Sequence, residues 1–251
     1  MIGAIIQARM GSTRLPGKNM KKVNGKPLLW FVVERLRECK NLDEIVVATT
    51  DTKKDDVIEE FCKKNNIKCF RGSEENVLER YYQAASANNL ETIVRITADC
   101  PLIDPITVDK AIDLFRESKT DYVSNVASRS FPRGLDVEVF SFQALEKAFS
   151  EAEKDMDKEH VTHYIYNNKD KFKTTELKAT DHLFRPELRL CVDTENDFKV
   201  VEEILSPFEY PMIEIMQVID FVDSKPELLK TIIAEEDKYR DKSKVKQRFL
   251  K

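Results

Sequence analysis

The 251-residue chain has no apolar run approaching the roughly 20 residues needed to cross a bilayer, and its N-terminus lacks a basic stretch followed by a long apolar stretch and a small-residue cleavage site. A cytoplasmic location with no membrane partner is expected. Histidine is scarce, three residues in all, and the one grouping that invites a zinc reading is Glu159-His160-Val161-Thr162-His163. It lacks the H-E-x-x-H order and its histidines sit one residue too close, so surface or substrate-pocket histidines are expected instead. The five cysteines (Cys39, Cys62, Cys69, Cys100, Cys191) are odd in number and show no C-x-x-C spacing. That speaks against a disulfide framework or structural zinc and for reduced, mostly buried thiols. Neither sign of charge dominates: 41 Lys and Arg against 45 Asp and Glu leave a net charge of −4, so the molecule at large indicates no nucleic-acid partner. Repeats and low-complexity linkers are also missing, and the length suits one α/β domain over 1–251 with a modest insertion.

Glycine is sparse as well, six residues in all, yet Gly3, Gly11, Gly17 and Gly25 all fall before residue 26. There the apolar Ala4-Ile5-Ile6 runs directly into Gln7-Ala8-Arg9-Met10-Gly11-Ser12-Thr13-Arg14-Leu15-Pro16-Gly17-Lys18-Asn19, with Lys21, Lys22 and Lys26 close behind. Glycines such as Gly11 allow backbone amides to approach an anion, and Arg9, Arg14 and Lys18 supply countercharge, the means of holding a polyphosphate. A Walker A loop is not present, because five residues separate Gly11 from Gly17 and Asn19 follows Lys18 where that motif needs Ser or Thr. The Rossmann G-x-G-x-x-G is absent too. The competing reading is a basic surface turn without a ligand.

The next hundred residues alternate strand and helix. Helices are expected over 27–39, 55–65 and 76–89, and strands over 44–50, 67–70 and 92–97, the last ending in Ala98-Asp99-Cys100-Pro101. Such alternation implies a largely parallel sheet with ligands at the carboxyl ends of its strands. From roughly 120 to 185 the rhythm loosens into what reads as substrate-specific or oligomerisation elaboration, with a strand over 134–140, helices over 142–152 and 158–168, and a strand over 173–178. A strand over 188–192 then leads to Asp193 and a helix over 198–205, and the charged tail 225–251 is helical in pattern.

A nucleoside triphosphate arrives with magnesium, which takes hard oxygen ligands, commonly one or two carboxylates beside phosphate oxygens and water. Asp99 and Asp193 each follow an apolar segment, and one topology would bring both to the rim that carries the cationic loop. Taken singly, each reads equally well as a turn or helix N-cap residue. Together with the loop they point to a metal-assisted nucleotidyl site.

These residues resemble a known family. The stretch Ile6 to Lys18, I-Q-A-R-M-G-S-T-R-L-P-G-K, is similar to the opening motif of the CMP-sugar-acid synthetases such as 3-deoxy-manno-octulosonate cytidylyltransferase, and Gly25-Lys26-Pro27-Leu28 resembles their next block. Arg71 to Arg80, Ala98 to Ile103 and Val192 to Asp197 continue the pattern. The Gly134 to Phe140 and Glu159 to Thr162 blocks resemble the spore-coat polysaccharide biosynthesis type of cytidylyltransferase. The resemblance implies a glycosyltransferase-A-like, nucleotide-diphospho-sugar-transferase α/β fold with three layers and a mostly parallel central sheet. It implies transfer of CMP from CTP to a sugar acid or related phosphorylated or carboxylated acceptor, with release of pyrophosphate, in cell-surface polysaccharide synthesis. It implies Arg9, Ser12 and Lys18 at the phosphates, Ala8, Gly72 and Ser73 around the nucleoside, and Asp99 with Asp193 holding Mg2+. Ala98-Asp99-Cys100-Pro101 departs from the G-D-E-P of the octulosonate enzymes, a difference that concerns the acceptor.

Catalysis is expected to rest on Arg9, Lys18, Asp99 and Asp193. Candidate acceptor residues are Arg133, able to pair a carboxylate or phosphate, the acidic pair Asp136 and Glu138, suited to hydroxyl or amino groups or else simply the polar face of a strand, and His160. A homodimer fits the resemblance. Alternatives left open are use of UTP or GTP to form an NDP-sugar, a phosphotransferase, and a catalytically silent nucleotide-binding protein.

Overall fold

The structure, a computed structural model, describes residues 1–208 and 213–249. In chain order its elements are β1 (Ile2–Gln7), the small hairpin β2 (Lys22–Val23) and β3 (Lys26–Pro27), α1 (Leu28–Arg37), β4 (Glu44–Thr50), α2 (Asp56–Lys64), β5 (Lys68–Gly72), α3 (Val77–Ala87), β6 (Thr92–Thr97), α4 (Pro105–Ser118) and β7 (Tyr122–Ser124). They continue with β8 (Glu138–Ser141), α5 (Phe142–Glu151), α6 (Asp155–Glu159), α7 (His163–Asn167), β9 (Thr174–Glu176), α8 (Glu195–Leu205), α9 (Ile215–Asp223) and α10 (Pro226–Phe249). The main sheet has the order β5-β4-β1-β6-β8-β7-β9. β5, β4, β1 and β6 pair in parallel, β8 is antiparallel to both its neighbours, and β7 pairs β9 in parallel, so β8 alone runs against the rest.

The alternation of side chains along a strand divides the core in two. Ala4 and Ile6 of β1 face a layer built from α1, α2 and α4, whereas Ile5 faces α3, α5 and α7 through Tyr81, Ala144 and Ile165. A third cluster lies beside α1, where Val201, Val218, Val222 and Ile232 of α8, α9 and α10 pack around Leu188, Leu190 and Val192. Gly3 allows β1 to pass beneath Leu90: a Cβ there would sit 2.5 Å from a Leu90 methyl carbon.

The expected strands over 44–50 and 92–97 match β4 and β6, because β-branched runs bounded by turn residues have few alternatives. Three expectations are corrected. Residues 188–192 form no strand; the segment crosses the strand ends and gives its amides to loops, Leu190 N to Arg133 O at 2.7 Å and Val192 N to Asp99 O at 2.8 Å. Of 134–140, only Glu138 onward joins the sheet, since Gly134 adopts φ +107 and Asn125 brackets the next turn through Leu135 O and Val137 N. The helix over 158–168 is broken into α6 and α7 where the Thr162 hydroxyl donates to buried Glu138 at 2.6 Å. The 120–185 region supplies β7, β8 and β9 to the main sheet. α4, β7, α9 and the β2–β3 hairpin carry signals the sequence reading did not resolve. The tail forms α10 as expected, with residues 250 and 251 outside the described residues.

Candidate functional site

Above the carboxyl ends of β1 and β6, three segments meet at one ammonium group. Lys18, buried in a single 3-10 turn (Lys18–Met20), donates from Nζ to Asp99 Oδ2 at 2.7 Å, to Asp193 Oδ1 at 2.9 Å and to the Val192 carbonyl at 2.7 Å. Burial alone would lower the lysine pKa, but the Asp99 and Asp193 carboxylates outweigh it and push the value up to about 12. Burial would likewise raise the pKa of Asp193; Lys18, Arg14 and Arg189 hold it below the ordinary carboxylate range.

Each carboxylate is placed by its own loop. Asp99 lies two residues past β6, its Oδ1 accepting from the Thr97 hydroxyl at 2.6 Å. The N-cap of α4 is Asp104, which accepts from Thr107 N at 2.9 Å, so Asp99 has no capping duty. Asp193 is also spared. Thr194 caps α8 in a capping box with Asp197, and Asp197 Oδ2 accepts from the amides of both Asp193 (2.9 Å) and Thr194 (2.8 Å). The Asp193 side chain is left to meet Lys18, Arg14 NH2 at 2.8 Å and Arg189 NH2 at 2.7 Å.

The loop that carries Lys18 is held at both ends. Met10 N donates to Asp55 Oδ1 at 2.7 Å, and buried Asp55 also accepts from Thr49 and Thr50. Gly17 turns the chain in the left-handed region at φ +70, and its amide donates to Met10 O at 3.0 Å. With the Ser12 and Lys18 amides also donated to loop carbonyls, an anion here would be met chiefly by side chains and the remaining amides. Ser12, Arg14, Lys18, Asp99 and Asp193 line a cavity of about 210 Å³. A cavity of about 860 Å³ adjoins it, bounded by Ser73, Asn76, Arg95 and His160, and Gln7 with Arg9 line both.

Of the expected nucleotide residues, Arg9, Ser12 and Lys18 thus line the small cavity and Ser73 the large one. Ala8 is buried, with its amide on Ala48 O at 3.2 Å. Gly72 ends β5 packed against Arg80, and a Cβ on Gly11 would lie 3.2 Å from Glu74 Oε1, which shows how closely the two loops approach.

The four acceptor candidates do not share a pocket. His160 lines the large cavity. Buried Glu138 accepts from Tyr122 and Thr162 and pairs with Arg95; burial would raise its pKa, and Arg95 pulls it down instead. Asp136 pairs with Arg129, and Arg133 is taken by Glu236 of α10 through hydrogen bonds of 2.8 and 2.9 Å. Sequence reasoning missed Gln7, whose buried Oε1 has no hydrogen-bond partner among the described residues, and Arg95, whose Nε is equally unpartnered. It also missed Arg189 and Asp55, although the partners Asp193 and Asp197 of the first and Thr49 and Thr50 of the second are close to them in sequence.

Asp99 Oδ2 and Asp193 Oδ1 are hard oxygen donors that already converge on one cation, and this donor set fits magnesium. Among the described residues no three His, Cys, Asp or Glu side chains form a metal-holding group, so further ligands would be phosphate oxygens and water.

A family model described as cytidylyltransferase matches residues 3–236. The chain is 34% identical over 234 residues to a spore coat polysaccharide biosynthesis protein of Bacillus subtilis, covering 89% of this chain and 94% of that one. It is 32% identical over 139 residues to 3-deoxy-manno-octulosonate cytidylyltransferase 2 of Hydrogenovibrio crunogenus, covering 54% and 55%. The solved structure of a cytidylyltransferase from Leptospira borgpetersenii superposes with a TM-score of 0.85 at 36% identity, covering 90% and 95%. The α/β architecture with its mostly parallel central sheet is that of the nucleotide-diphospho-sugar transferases.

Proposed function

This chain belongs to the cytidylyltransferase family of CTP-dependent nucleotidyltransferases, and from that premise we propose that it transfers CMP from CTP to a sugar-acid-like acceptor and releases pyrophosphate. The observation that carries the reading is the Lys18 ammonium held between Asp99 and Asp193 on the wall of a cavity also lined by Arg9, Arg14 and Ser12. An acceptor oxygen attacks the α-phosphorus, forming one P–O bond as the bond to the β-phosphate bridging oxygen breaks in line. Arg9, Arg14 and Lys18 neutralise charge that moves onto the pyrophosphate, and the walls shared by the two cavities hold nucleotide and acceptor in register. Asp99 and Asp193 would hold Mg2+, which supplies electrophilic stabilisation of the phosphate oxygens.

The larger cavity carries Arg95 and His160 and adjoins the phosphate cavity at Gln7 and Arg9, a position suited to the nucleoside and acceptor. Work in cell-surface polysaccharide synthesis fits the relatives. No helix among the described residues is long and apolar enough to cross a membrane, and we place the activity in the cytoplasm.

The test is product mass spectrometry and coupled pyrophosphate release with each of the four nucleoside triphosphates, Mg2+ and a panel of sugar acids. CTP should give a CMP-linked product and the largest thermal shift. Equal shifts with all four nucleotides would remove the cytidylyl assignment, and binding of CTP without turnover of any acceptor would leave a nucleotide-binding protein.

A further inference from the structure

Glu236, on α10 far along the chain from the nucleotide loop, is only 1% exposed yet faces three arginines. It accepts from Arg133 Nε at 2.8 Å and NH2 at 2.9 Å and from Arg240 Nε at 3.0 Å, and its Oε2 lies 3.7 Å from Arg189 NH1. Arg133 and Arg189 are neighbours in a parallel bridge, made possible because Gly134 presses against Leu190: a Cβ at Gly134 would lie 2.7 Å from the Leu190 carbonyl carbon. The Tyr239 ring stacks against both guanidinium groups, 4.2 Å from Arg133 and 4.8 Å from Arg189. Arg189 turns its other nitrogens to the site, Nε to Asp197 Oδ1 at 2.9 Å and NH2 to Asp193 Oδ2 at 2.7 Å. Asp193 in turn meets Lys18.

We propose that Glu236 is a positioning residue for the nucleotidyl site, acting from the C-terminal helix through Arg189 to fix the Asp193 carboxylate. The inference rests on the nucleotidyl reading for its metal and kinetic consequences, while the consequence for hydrogen exchange stands on the contacts alone. Arg189 NH1 has no hydrogen-bond partner among the described residues, so its restraint is the Glu236 charge and the Tyr239 face. Without that carboxylate, Arg189 loses the acidic neighbour on its NH1 side and is held only by Asp193, Asp197 and the Tyr239 face, so that the pull on Asp193 is no longer balanced from α10. The consequence is weaker retention of a divalent cation at Asp193 and a less fixed α8 N-terminus.

Glu236→Gln in the full chain tests this by three measurements. Hydrogen exchange at the Asp193 and Thr194 amides, both donated to Asp197, should quicken at least fivefold, with β1 amides unchanged. Mn2+ affinity, read by electron paramagnetic resonance with CTP present, should fall at least fivefold. The kcat for pyrophosphate release should fall about tenfold with KM for CTP within twofold. If the single variant does not fold, the charge-balanced Arg133→Gln/Glu236→Gln pair is measured and should show the same changes. Exchange at 193 and 194 within twofold of wild type in a folded variant overturns the proposal, as does altered exchange with unchanged Mn2+ affinity. If the wild-type protein binds Mn2+ but turns nothing over, altered exchange and Mn2+ affinity in the variant uphold the positioning role while the functional reading falls.

Discussion

Asp99 and Asp193 reach the same ammonium from regions built on different plans. Asp99 follows β6, in the parallel half of the sheet, and its carboxylate meets one cation, Lys18, and one hydroxyl, that of Thr97. Asp193 lies in a crossing segment ahead of α8, and its carboxylate meets Lys18, Arg14 and Arg189. The first is set by a strand end and left 24% exposed; the second is an anchor, 14% exposed, fixed by three charges from two segments, the N-terminal loop and the crossing segment itself. In the nucleotidyl site proposed above, Asp99 would be the group that can change partners and Asp193 the one that keeps its neighbours in place.

The most severe way to break that comparison is to neutralise each carboxylate in turn. Asp99→Asn and Asp193→Asn should each lower pyrophosphate release by about four orders of magnitude, the scale of loss when an essential charged group becomes its amide. They should part in thermal denaturation, with Asp193→Asn the more destabilised because three cations lose their shared partner. A larger drop for Asp99→Asn would show that the anchor has been assigned to the wrong loop. Arg189→Met, which removes a buried partner of Asp193 and Asp197, should cost about 3–5 kcal/mol in denaturant unfolding. Lys18→Met removes the group common to both regions and should lower kcat by about two orders of magnitude while the protein stays folded.

The pH dependence sharpens the comparison further. The Lys18 pKa is raised from 10.5 to about 12, so its share of stability is complete below pH 10.5 and lost as pH rises through about 12. The depressed pKa of Asp193 acts in the opposite sense: its contribution is present above 3.8 and lost as pH falls through the lower folded value. Urea unfolding of the wild type should therefore lose roughly 1–2 kcal/mol between pH 10 and 12 that Lys18→Met does not lose. The smallest effect is expected of Arg14→Ala. That side chain is 49% exposed, so stability should change by no more than about 1 kcal/mol although it touches Asp193. A large loss would mean the anchor depends on its outermost cation.

The N-terminal half was legible because its signals are local. A β-branched run such as 44–50 and the glycine-punctuated loop after Ile6 announce themselves within a few residues, and the apolar strand before Asp99 predicts where that carboxylate emerges. The second half was harder for a physical reason. Leu188 to Val192 is apolar enough to read as a strand, yet its amides go to the Arg133 and Asp99 carbonyls, partners that no periodicity encodes. From the sequence Arg133 is a candidate for a substrate anion, and only the tertiary structure shows it paired with Glu236.

By itself the sequence determined the strand and helix alternation, the cationic loop at the end of the first strand and the two carboxylates available to it, because these follow from backbone periodicity and side-chain chemistry over short spans. Tertiary structure decided that Lys18 meets Asp99 across 81 positions and Asp193 across 175, and that Arg133 and Glu236 are joined in one clamp. Contacts over such separations are set by how whole layers pack, and a local pattern carries no record of which distant partner packing will deliver.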